Sequence, residues 1–117
     1  RSIRDQKEEQ SNSAVKKAML YIQENFSKDI SLDEVSGQVN ISPYYFSKIF
    51  KEETGENFIE YLTRIRIEKA KEFLKQPEVS VKEAGVKSGY TDPNYFSRIF
   101  KKQTDMTPSE FKTRYGK

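Results

Sequence analysis

Hydrophobic positions recur along this chain at three- and four-residue spacing, and strand-like alternation is almost absent. Val15, Ala18, Met19, Ile22 and Phe26 fall on one face of a helix predicted over residues 13–26. Start signals then follow in series. Ser31 with Glu34, Asn57 with Glu60, Ser80 with Glu83 and Thr107 with Glu110 each place a capping side chain three residues before an acidic one. Ser42 and Asp92 are each followed by proline, a cap before a ring pre-set for the first helical position. The pattern predicts further helices over residues 31–38, 42–53, 58–75, 80–87, 92–103 and 107–115.

The order of these helices repeats. "ISLDEV" from Ile30 corresponds to "VSVKEA" from Val79, and "PYYFSKIFK" from Pro43 to "PNYFSRIFK" from Pro93, with seven of nine positions identical. Each copy is a short capped helix, a tight joint and a second helix opening with Ser-Pro or Asp-Pro, which is the helix-turn-helix arrangement. From cap to cap the first copy advances eleven positions, Ser31 to Ser42, and the second twelve, Ser80 to Asp92. The predicted fold is therefore all-α, with about seven helices. Residues 1–12 read as a linker or disordered segment, 13–56 as a first helix-turn-helix subdomain, 57–76 as a long linker helix and 77–117 as a second subdomain.

At 3.6 residues per turn the second helix of each copy is two-faced. Phe46, Ile49 and Phe50 lie opposite Tyr44, Ser47, Lys48 and Lys51, with Tyr45 at the edge. Phe96, Ile99 and Phe100 lie opposite Asn94, Ser97, Arg98 and Lys101 in the same way. Between the copies, Phe58, Tyr61, Leu62, Ile65, Ala70, Phe73 and Leu74 form one stripe on a helix of about 27 Å. Such a helix is the core strut of its domain and also a spacer.

Composition narrows what those faces do. The 117 residues include 8 Phe and 7 Tyr for a modest core, but no Cys and no His, so thiolate, imidazole and the usual zinc chemistry are excluded. No metal or cofactor is implied. No apolar run is long enough to cross a bilayer, and the first residues lack the apolar centre of a signal peptide, which together make the cytoplasm the expected location and a membrane partner unexpected. The net charge is only +3. Residues 1–12 carry three basic and three acidic side chains, whereas from Pro93 onward six basic residues face Asp105 and Glu110. The basic excess gathers at the second copy.

Most polar helix faces are simply solvated. Here the same outer face occurs twice behind a turn of the right length, and its residue types read DNA. Asn and Arg are bidentate to base edges, Ser is adaptable, Lys suits guanine or phosphate, and Tyr meets thymine methyls or backbone. Successive major-groove segments on one side of B-DNA lie about 34 Å apart, so a spacer helix allows a single chain to serve two of them. A helical protein-interaction module without DNA binding is the alternative. An enzyme would have to work with Asp, Glu, Lys or Tyr alone, and the acidic residues sit mostly at helix starts, where capping accounts for them.

From about Val15 to Tyr115 the chain resembles the C-terminal DNA-binding domain of AraC/XylS-family bacterial transcription regulators. The most specific stretch is "GYTDPNYFSRIFKKQTDMTPSEFK", where Gly89, Tyr90, Tyr95, Phe96, Ser97, Arg98, Phe100, Lys101, Thr107 and Pro108 follow the family signature in order. The resemblance implies base contacts from Tyr44, Ser47 and Lys48 in the first copy and from Asn94, Ser97 and Arg98 in the second. Phosphate contacts are implied for Ser42, Tyr45, Lys51, Tyr95, Lys101, Lys102, Thr104 and the helix N-termini. Promoter or operator duplex DNA is the implied partner, with RNA polymerase a further one. A sensory or receiver domain is expected N-terminal to this chain, which would itself bind as a monomer, and the phrasing also resembles the output domains of AraC-type two-component response regulators.

Three positions depart from the family pattern. Ala84 and Gly85 stand where a large aliphatic residue and alanine are usual, and Asp105 stands where glycine is usual. A mid-helix glycine costs about 0.5 to 1 kcal/mol relative to alanine, so Gly85 reads as a weak spot and the second subdomain as the less stable one. Asp105 is expected at a left-handed helix end, where glycine would fit better.

Overall fold

A computed structural model describes the backbone of residues 3–116 and the side chains of residues 12–116. The described residues form seven helices: α1 (Ile3–Asn25), α2 (Leu32–Gln38), α3 (Pro43–Thr54), α4 (Phe58–Leu74), α5 (Val81–Lys87), α6 (Pro93–Thr104) and α7 (Pro108–Tyr115). Six begin within a residue of the caps that mark them in the sequence. The exception is α1, which starts ten residues before the predicted Ser13. Its early part holds no proline or glycine and is rich in Arg, Gln, Lys and Glu, whose propensity continues the helix beyond its packed face.

The caps behave as their chemistry requires, with one diversion. Ser80 with Glu83 and Thr107 with Glu110 form complete capping boxes. Asn57 and Glu60 exchange the equivalent pair, Asn57 N–H to Glu60 Oε1 at 2.9 Å and Glu60 N–H to Asn57 Oδ1 at 2.8 Å. At α2 the Ser31 hydroxyl accepts from Glu34 N–H at 3.1 Å, but the Glu34 carboxylate accepts from the Tyr21 hydroxyl of α1 at 2.7 Å. A helix contact has claimed the acid that the local pattern assigned to a cap.

The chain divides into two compact units, residues 1–25 with 30–62, and residues 26–29 with 63–117. The division falls inside α4 rather than at either end of a separate linker helix, because the helix is shared out by its packing. In the first unit α1, α2 and α3 pack on one another around Val15, Ala18, Ile22, Val35, Phe46 and Phe50. The first turn of α4 joins them through Tyr61, whose ring meets Phe50 edge-on at 5.2 Å.

In the second unit, Ile67, Ala70 and Leu74 of α4 join Ala84, Tyr90, Phe96, Phe100 and Phe111 in one buried cluster. Gly85 of α5 is buried in it. A Cβ at Gly85 would stand 2.8 Å from Phe96 Cδ2 and 3.1 Å from Phe96 Cγ. The reading of Gly85 as a weak spot is therefore corrected: the missing methyl admits the ring of α6 against the backbone of α5. Asp105 has the left-handed backbone expected of it, with φ 65° and ψ 10°, and Gly55 at the end of α3 has φ 81°.

The repeat extends further than the two matched helices. Counting from the caps Ser42 and Asp92, an offset of 50 also relates Thr54 to Thr104, Gly55 to Asp105, Asn57 to Thr107, Glu60 to Glu110 and Arg64 to Arg114. The start of α4 is thus the first copy's third helix, as α7 is the second's. The extra residue of the second copy lies in its turn, where Gly89 takes φ 107° and Asn40 takes φ 60° in the first.

Candidate nucleic-acid interface

In the first unit, α3 is fixed at its start by Ser42, whose hydroxyl accepts from Tyr45 N–H at 3.2 Å, and by Pro43 in the first turn. Phe46, Ile49 and Phe50 anchor one side in the core. The other side leaves Tyr44 (83% exposed), Ser47, Lys48 and Lys51 at the surface, with Tyr45 also exposed. The Lys51 ammonium lies 3.9 Å from Glu60, a pair more than half exposed at both ends. Such a pair contributes little and yields readily to a stronger anion.

In the second unit, α6 repeats the plan with different chemistry. The Asp92 carboxylate accepts from Asn94 N–H at 2.9 Å, Phe96 and Phe100 are buried, and Asn94, Arg98, Lys101 and Lys102 are exposed. Ser97 is half-buried beside a cavity of about 290 Å³ that Val81, Gly85, Val86 and Phe96 also line. Ile99 is half-buried, unlike the fully buried Ile49. Tyr95 packs its ring 5.8 Å from that of Tyr90, and the Arg98 guanidinium lies 5.9 Å from the Tyr95 ring centre.

Thr104 sits at the far end of α6 from Asp92. Its hydroxyl donates to the Phe100 carbonyl at 2.8 Å and accepts from Met106 N–H at 3.2 Å, so it is engaged in closing the helix. Thr54 closes α3 identically, with Phe50 O at 2.7 Å and Glu56 N at 3.2 Å. The signal for this use was in the sequence: each threonine immediately precedes the residue that takes the left-handed turn.

The helix starts also differ electrically. α2, α4, α5 and α7 carry an acidic residue in the first turn, whereas α3 and α6 carry none. No side chain within the first turn of either helix offsets its N-terminal partial positive charge, so the cap decides what remains for an anion. At α3 the cap is the neutral Ser42. At α6 the cap is Asp92, whose carboxylate already occupies that position, so the two starts are unequal as phosphate sites.

One residue that sequence reasoning passed over, Arg66, ties the corner before α6 together. Arg66 of α4 donates through Nε to the Phe26 carbonyl at 2.8 Å and through Nη2 to the Lys28 carbonyl at 2.9 Å. Its guanidinium lies 5.5 Å from the ring centre of Tyr90, which stacks at 5.6 Å on Phe96. Gly89 closes this corner, because a Cβ there would meet Arg66 Nε and the Phe26 carbonyl oxygen at 2.9 Å each. Burial pushes the Tyr90 phenol above its ordinary value, against the pull of Arg66. Tyr90 therefore stays neutral at physiological pH. In the linear sequence Arg66 is one more polar position on α4, and its partners are about forty residues away.

Residues 35–114 match the family described as "Helix-turn-helix domain". The C-terminal domain of AraT, a response regulator from Geobacillus stearothermophilus, superposes with a TM-score of 0.85 and 38% identity, covering 89% of this chain and 87% of that one. The chain belongs to the AraC-type family of helix-turn-helix transcription regulators. The regulatory protein PocR of Salmonella typhimurium is 34% identical over 101 residues, 86% of this chain and 33% of PocR. The DNA-binding domain of AdpA, solved with a target DNA, shares the fold with a TM-score of 0.82 at 19% identity over 86% of this chain and 91% of that one. This AraC-type chain thus spans about a third of the length of PocR, and it is a DNA-binding domain of a transcription regulator. No helix among the described residues is long and apolar enough to cross a membrane.

Proposed function

We propose that this AraC-type domain reads duplex DNA sequence-specifically with α3 and α6, each in one of two major-groove segments about one helical turn apart. The carrying observation is the duplicated recognition helix: two N-capped, proline-started helices with apolar sides buried and polar sides exposed at an offset of 50. Base edges are met by Tyr44, Ser47 and Lys48 on α3 and by Asn94, Ser97 and Arg98 on α6. Phosphates are met by Ser42 and the open start of α3, by Lys51, Lys101 and Lys102, and by Tyr45 and Tyr95 at the helix edges. Thr104 contributes from its backbone or by releasing its helix-closing bonds.

A single chain carries both reading helices, so no dimer is required. Like the response-regulator domain it resembles, the chain serves as the output half of a longer bacterial protein whose other domain receives the signal, acting at a promoter or operator and communicating with RNA polymerase. Footprinting with sedimentation of the complex tests the core of this. One chain per site with two protected groove segments supports it. Two chains on a minimal bipartite site, or one protected segment, overturns the monomeric reading, and absence of duplex affinity favours a protein-interaction module.

A further inference from the structure

We infer that Tyr95 is a positioning residue for specificity: braced by Tyr90, it holds the Arg98 guanidinium in a reading pose, so that the second recognition helix discriminates bases more sharply than the first. This rests on the proposal that Arg98 reads a base. The observation is a continuous run of ring and guanidinium contacts within the second unit. Arg66 is fixed by two carbonyls and lies 5.5 Å from the Tyr90 ring centre, Tyr90 is 5.8 Å from Tyr95, and Arg98 is 5.9 Å from Tyr95.

Each link confines the next. Tyr90 is buried and stacked on Phe96, so its ring is a fixed surface. Tyr95 is half exposed, and without that surface its ring would be free to swing into solvent. Arg98 is exposed on a long side chain, and the π-face of Tyr95 favours the rotamers that keep its planar fork beside the helix. A guanidinium ordered before binding loses less freedom on docking to guanine O6 and N7, and it tolerates a misplaced acceptor less well. In the first copy, Ile41 precedes the cap where the second has Tyr90 and Thr91, and Lys48 replaces Arg98. Lys48 offers no planar fork, and a lysine is a point charge that accepts several geometries.

The test measures affinities of the full chain for its selected bipartite site and for all single-base variants of that site, with Tyr95→Leu, Tyr95→Phe and Arg98→Ala. Arg98→Ala identifies the position that Arg98 reads. Tyr95→Leu is expected to reduce discrimination at that same position by about 2- to 10-fold while leaving discrimination elsewhere unchanged. Tyr95→Phe, which keeps the ring, is expected to retain it. If Tyr95→Phe loses that discrimination as Tyr95→Leu does, the ring is not what positions Arg98 and the inference is wrong. If Arg98→Ala relaxes one position and Tyr95→Leu does not, the positioning role is wrong and base reading stands. If Arg98→Ala weakens every variant equally, base reading by Arg98 fails and the inference falls with it.

Discussion

The ring of Phe96 occupies the space that a side chain on Gly85 would need, with Cδ2 2.8 Å from where a Cβ would stand. Phe96 is 1% exposed and stacked on Tyr90, so the ring has little room to yield. Gly85→Ala is therefore expected to lower stability by about 1 kcal/mol, the overpacking cost of about 1 to 3 kcal/mol outweighing the helix-propensity gain of about 0.5 to 1. Thermal or urea melts of the single variant measure it. A raised midpoint would mean that α5 and α6 separate more easily than this packing implies.

Asp105 poses the opposite case. Its left-handed backbone, φ 65°, matches the position where Gly55 ends α3. Asp105→Gly is expected to stabilise the second unit by about 0.5 to 1 kcal/mol, because glycine takes this conformation without a Cβ penalty. Gly55→Asp should cost a similar amount in the first unit. Paired melts of the two variants show whether the offset of 50 relates equivalent sites.

Glu110 predicts a pH dependence. The Thr107 backbone N–H first, then its side chain and Lys101, hold the Glu110 carboxyl below its ordinary value of 4.5. A depressed carboxyl binds fewer protons folded than unfolded, so its contribution is present above about pH 4.5 and lost as pH falls through the folded value. Glu110→Gln should flatten the acid limb of stability against pH below about pH 4.5. An unchanged limb would mean that the carboxylate gains nothing from the cap.

Arg98 and Lys101 share one face of α6 and are expected to part company in binding. Arg98→Ala should cost about 1 to 3 kcal/mol on the preferred site and relax one base position. Lys101→Ala should weaken all sequences nearly equally and reduce the salt slope by about one. Affinities for single-base variants at two salt concentrations separate the two roles.

Asp92 and Ser42 give a test of the helix starts. Asp92→Ser removes a carboxylate from the N-terminal end of α6 while keeping a cap, so binding to all duplexes should strengthen, with a steeper salt slope. Unchanged affinity would place that helix start away from phosphate.

Local chemistry made most of the fold legible. The caps Ser42, Ser80, Asp92 and Thr107 each announce a helix by a bond made within three residues, and the apolar stripes select the buried faces. The candidate reading residues followed from the same periodicity. What stayed hidden was decided at a distance. Gly85 looked like a defect because its reason is a ring eleven positions later, and Glu34 leaves its cap for Tyr21 on another helix. Arg66 could not be told from a solvated arginine without Phe26 and Lys28 beside it.

That last contact bears on how the chain can be cut. The second unit includes Phe26 to Asp29, which come before residues 30–62 of the first unit in the chain, so no single excised stretch contains it alone. A fragment begun at Thr63 would keep every residue of the second helix-turn-helix, yet would leave the Arg66 guanidinium without its two carbonyl acceptors and Gly89 without its neighbour. Dissection of this chain by subcloning or proteolysis therefore removes a wall from the piece it means to isolate, and only a peptide supplying residues 26–29 in trans, or a permuted chain joining them to it, would restore that wall.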